Sequence, residues 1–144
     1  MERLLAEYDA SHGHRVNKLL HWICVPLIMF SLLGLLWLIK LPVLNAAQAL
    51  MLAALIYYLL LSPRLGAGML LVAACLLGLL QGMDRAGLPL LWIAAGIFIL
   101  AWIGQFIGHY VEGKRPSFFK DIQFLLIGPL WLLAAVYRRF GITY

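Results

Sequence analysis

The sequence predicts an all-α fold: a polytopic membrane helical bundle of four spanning helices, followed by a C-terminal segment broken by Gly-Pro that is re-entrant, interfacial or a fifth span. Three observations carry this. Hydrophobic residues make up 65% of the 144-residue chain and charged residues only 12%, whereas a water-soluble domain is roughly a quarter charged. The apolar residues fall into runs of about 20, the length that matches a hydrocarbon core of roughly 30 Å. Short links carrying Pro, Gly and single charges separate the runs, so neighbouring helices should pack antiparallel. Residues 1–144 are thereby used up as a single integral membrane domain.

The first span runs from Leu19 to Ile39 and stops at Lys40, with Pro42 beyond it as a breaker. Its apolar core is longer than a signal peptide's and its polar leader too extended, so the N-terminal region is expected to stay attached. The second span covers Val43 to Leu61 and ends at Ser62-Pro63-Arg64, and the third covers Leu65 to Gly82 before the turn Asp84-Arg85-Ala86-Gly87. The fourth extends from Leu88 to Tyr110. The last stretch, Ile122 to Tyr137, is interrupted by Gly128-Pro129, which leaves too short an apolar run for a clear span. Two GxxxG motifs, Gly78 to Gly82 and Gly104 to Gly108, are expected to serve helix packing. Cys24 and Cys75 lie inside apolar runs without a CxxC motif, and are expected to be small buried hydrophobes rather than a disulfide.

The net charge of +5 does not point to nucleic acid, because Lys and Arg stand singly between apolar runs. With four crossings, Arg3, Arg15, Lys18, Arg64, Lys114, Arg115 and Lys120 share one face and only Lys40 and Arg85 the other, which assigns the richer face to the cytoplasm. A short Leu/Ala-rich chain of this kind suits a bacterial inner membrane, or the endoplasmic reticulum if the source is eukaryotic.

Topology also organises the histidines. His21 opens the first span and His109 closes the fourth, so an even number of crossings returns both to the same face at similar depth. Asn17 stands four residues before His21, and Gln105 four before His109, so each imidazole has a carboxamide one turn earlier on its own helix face. A ligating histidine usually donates its other N–H to an oxygen that fixes the ring, and these carboxamides can supply one. Glu112 follows His109 by three residues and extends the polar stripe; pairing with Lys114 or Arg115 is its plainer role. His12 and His14 flank Gly13 and cannot both continue the face of His21, and spacing does not choose between them. Nothing resembles a nucleophile elbow, a phosphate-binding loop or a paired-carboxylate site, which leaves metal chemistry. Histidines with one carboxylate and no thiolate suit non-haem Fe(II), and zinc accepts the same donors.

Two blocks, YDASHGHRVNKLLHWICVP from Tyr8 and QFIGHYVEGKRP from Gln105, resemble the Mpo1-like family over nearly the whole chain. The resemblance implies Fe(2+)-dependent dioxygenation of 2-hydroxy fatty acids, which shortens them by one carbon in α-oxidation. It implies His12, His21 and His109 as metal ligands, and His14 stands beside them outside the family's core pattern. Asn17, Gln105 and Glu112 join the site as catalytic residues, and so does Tyr8, for which an interfacial anchor is the plainer role. The expected partners are a 2-hydroxy fatty acid, dioxygen and membrane lipid, with self-association left open. Arg15, Lys18, Lys114 and Arg115 flank the histidine blocks and are expected to meet the substrate carboxylate. The competing readings are a non-catalytic assembly protein whose histidines pin helix ends, a transporter, for which mid-membrane ionisable residues are lacking, and a haem protein.

Overall fold

A computed structural model describes residues 14–113 and 118–143, with the backbone alone over 118–125. Among the described residues it is all-helical: α1 Arg15–Trp37, α2 Ala46–Leu61, α3 Pro63–Arg85, α4 Leu90–Glu112 and α5 Phe118–Arg139. Helices α1, α3 and α4 are each 23 residues and apolar enough to cross a membrane. Helix α2, with 16 residues, spans only about 24 Å of rise.

The caps explain the boundaries. The Nδ1 of His14 accepts the Val16 N–H at 3.2 Å and starts α1 four residues before the expected Leu19. Asn45 and Gln48 form a reciprocal capping box at the start of α2. Ser62 serves two helices at once: its N–H bonds the Tyr58 carbonyl at the end of α2, and its hydroxyl accepts the Leu65 N–H at the start of α3. The expected three-residue link is therefore a single residue, because Pro63 fits the first helical turn. Gly113 closes α4 with φ +71°, a conformation that favours glycine.

Helix α1 packs most extensively against α4, antiparallel and close. A Cβ on Gly104 would come within 2.6 Å of the Cys24 sulfur, one on Gly108 within 2.5 Å of Asn17 Oδ1, and one on Gly34 within 3.0 Å of the Ala94 Cβ. Small residues thus let the two backbones approach along their length, as membrane helices require when lipid removes the hydrophobic drive to associate. The other GxxxG motif behaves differently: Cβ atoms on Gly78 and Gly82 would meet nothing within 4 Å. Cys75, expected to be buried, is exposed on the same helix, because the inward stripe of α3 is Leu65, Met69, Ala73 and Leu80.

The end of the bundle away from the histidines is tied by Trp37, whose indole N–H donates to Asp84 at 3.0 Å, with Lys40 3.9 Å from the same carboxylate oxygen. Lys40 and Asp84 are both well exposed, so their ion pair adds at most about 1 kcal/mol and the indole bond does the joining.

The Gly128-Pro129 pair does not end a helix, contrary to the sequence expectation: α5 runs continuously through it. Proline removes one backbone donor, and the surrounding bundle holds the helix regardless. The Tyr58 hydroxyl donates to the Leu126 carbonyl at 2.7 Å, and Ile127, Leu130, Trp131 and Ala134 are buried with Val25, Ala54, Tyr58, Leu65 and Met69. Those partners belong to the histidine-side halves of α1, α2 and α3. The end of α5 stays there too, because the Tyr137 hydroxyl donates to the Arg64 carbonyl and the Arg64 guanidinium to the Thr143 carbonyl and hydroxyl.

Candidate functional site

The first turns of α1 and the last turns of α4 meet at one end of the bundle and carry a polar cluster on an otherwise apolar interface. His21, 3% exposed, and His109 lie edge to face with ring centroids 5.4 Å apart. Their convergence, which the parity of crossings predicts, is therefore observed.

His21 Nδ1 lies 2.9 Å from the backbone carbonyl of Asn17. A carbonyl only accepts, so Nδ1 carries the proton and Nε2 keeps the lone pair that a metal or an acidic proton would use. The expected orienting oxygen is there, but it is the main-chain carbonyl and not the Asn17 carboxamide. The carboxamide is engaged elsewhere: its Nδ2 donates to Glu112 Oε2 at 3.1 Å. Asn17 is fully buried, and its Oδ1 has no hydrogen-bond partner among the described residues; the same holds for Oε1 of buried Gln105. An unpaired buried carbonyl costs about 1–3 kcal/mol, and each of these two lies one helical turn before an imidazole, where a hydrogen-bond donor or a cation would satisfy it.

Glu112 Oε2 also accepts the backbone N–H of His14 at 2.9 Å. One carboxylate oxygen at the end of α4 thus holds the first turn of α1 by two donors, where the positive end of the helix dipole favours a negative charge. His14 itself is exposed, and because its Nδ1 accepts the Val16 N–H, its neutral ring carries a proton on Nε2. Its observed role is that of a helix cap. Arg15 is exposed and Lys18 half-buried on the same turn, at the rim of the cluster. Tyr8, His12, Lys114 and Arg115 lie outside the described residues.

The donor set suits a metal that prefers nitrogen and oxygen: two imidazoles, one with its tautomer fixed for Nε2 ligation, and two buried amide oxygens. Among the described residues no group of three or more His, Cys, Asp or Glu is placed to hold a metal ion. Sequence reasoning missed Gly108, whose missing side chain lets Asn17 fit beneath α4; the GxxxG motif carried that signal without saying which side chain it would admit.

Residues 1–140 match the family model described as 2-hydroxy-palmitic acid dioxygenase Mpo1-like. Comparison with curated proteins and with solved structures gave no significant match.

Proposed function

The chain belongs to the Mpo1-like family, and from that premise we propose that it is a membrane dioxygenase that shortens 2-hydroxy fatty acids by one carbon with non-haem Fe(II). The observation that carries the reading is the meeting of His21 and His109 at 5.4 Å, with the His21 tautomer fixed by the Asn17 carbonyl. His21 and His109 would hold the iron through their imidazoles, with His12 completing the set. The metal, when bound, supplies the activation of dioxygen. The remaining residues do what side chains can do. Asn17 Oδ1 and Gln105 Oε1 accept from the substrate's 2-hydroxyl or from a water that it displaces. Lys18 and Arg15, with Lys114 and Arg115 from the segment after α4, meet the carboxylate at headgroup level. Glu112 keeps the two helix ends in register. In this reading the histidine face is cytoplasmic, and α5 returns to it without crossing, supported by the hold of Arg64 on Thr143.

The test is elemental analysis of protein purified without oxygen, followed by incubation with 2-hydroxy-palmitic acid and air and mass analysis of the products. Stoichiometric iron and an acid one carbon shorter are expected for the wild type. Both should be lost in His12→Ala, His21→Ala and His109→Ala and retained in His14→Ala. Wild-type protein that binds no iron and yields no shortened acid would refute the assignment.

A further inference from the structure

A second feature of the interior lies apart from the polar cluster. Between α1, α2, α3 and α5 is a cavity of about 260 Å³, lined by Met29, Leu33, Met51, Ala54, Met69 and Pro129 among others. Among the described residues its one polar lining side chain, Tyr58, has its hydroxyl committed to the Leu126 carbonyl and offers the cavity its ring. Such a space attracts neither water nor an ion, since a water needs two or more polar partners.

We propose that this cavity receives the methyl-end portion of the substrate's acyl chain. The proposal rests on the dioxygenase reading and specifies where that substrate lies. Three features select a linear hydrocarbon. First, the cavity and the histidines share α1: His21 lies in its second turn, and Met29 and Leu33 follow 8 and 12 residues later, about 12 and 18 Å deeper along the helix. A head group at His21 and His109 therefore places a tail of this length at the depth of the cavity, with Val25 one turn from His21 and one turn from Met29. Second, three of the lining residues are methionines, unbranched and able to repack around a chain of variable position. Third, two lining residues, Leu50 on α2 and Leu126 on α5, are each 38% exposed, so the cavity meets the surrounding lipid between those helices. A fatty acid dissolved in the bilayer can enter sideways there, and the short α2 leaves the mouth uncovered over part of the bilayer depth.

The experiment is photolabelling of the full chain in nanodiscs with 2-hydroxy-palmitic acid carrying a diazirine at its methyl end, with adducts mapped by mass spectrometry. The expected result is modification at Met29, Met51 or Met69, abolished by excess unlabelled 2-hydroxy-palmitic acid and largely lost in Ala54→Phe, which fills the cavity. Adducts confined to outward residues such as Leu71 or Leu100 would overturn the proposal. So would labelling of the cavity by a phospholipid bearing the same diazirine while the free acid leaves it unmarked. Because labelling does not need turnover, the two readings can fail separately: turnover without cavity adducts sinks only the cavity assignment, and competed adducts without turnover sink only the dioxygenase.

Discussion

Replacing Gly108 with alanine should separate the two helices that bear the histidines. The added Cβ would sit 2.5 Å from Asn17 Oδ1 and 3.4 Å from a Leu20 methyl, so its approach to the carboxamide is about 0.9 Å short of the nearest ordinary contact. Asn17 cannot easily yield, because its Nδ2 is held by Glu112 and its main-chain carbonyl by His21. Either α4 moves outward or the carboxamide swings and breaks its bond. Overpacking of this kind costs about 1–3 kcal/mol, partly offset by the roughly 1 kcal/mol that alanine gains over glycine in a helix. A displacement approaching 1 Å at the histidine pair would cost about a hundredfold in turnover. The molecule contains its own control: Gly78→Ala and Gly82→Ala face open space and should gain up to about 1 kcal/mol each. Thermal unfolding in detergent, followed by circular dichroism, together with iron content reads both predictions. If Gly108→Ala unfolds at the same temperature as Gly78→Ala and keeps full iron, the close contact between α1 and α4 is not what positions the site.

Glu112→Gln keeps an oxygen that can accept from both the His14 N–H and Asn17, so it should retain most of the thermal stability and, on the proposed Fe(II) reading, most of the metal content, while Glu112→Ala loses both; equal metal loss in the two variants would make the carboxylate a ligand. His14→Asn should match the wild type in stability and His14→Ala should fall by about 1 kcal/mol, since asparagine caps a helix as well and alanine does not; denaturant titration in micelles distinguishes them. Tyr58→Phe removes the bond to the Leu126 carbonyl and should lower stability by about 0.6–1 kcal/mol, with less hydrogen-exchange protection in α5; unchanged protection would mean that the apolar contacts alone secure that helix.

Much of this arrangement was legible in the sequence, and the unread parts have physical causes. Apolar run length and the Pro- and Gly-containing links placed four helices to within a few residues, and counting crossings brought His21 level with His109. The partner of His21 could not be read, because the side chain of Asn17 is drawn away by Glu112, which lies 95 positions further along the chain, and no local spacing reports that competition. The two GxxxG motifs are indistinguishable as sequence, yet one faces Asn17 and the other meets nothing. Helix α5 was misread as broken because a Gly-Pro pair is a strong local stop, and the tertiary contacts that override it come from three other helices.

Ser62 carries a different kind of consequence. It ends one helix and begins the next with no slack, so the register of α3 is geared to that of α2 residue by residue. A single inserted residue there would turn α3 by about 100°, swinging Gly66 and Gly68 away from Leu59 and Tyr137 and bringing side chains where only hydrogen fits. Length change is therefore closed to descendants of this chain at residue 62. The turn between Leu38 and Asn45 is exposed from Leu38 to Val43, so a residue added at its tip displaces no buried contact, and drift in loop size should accumulate there, on the side away from the histidines.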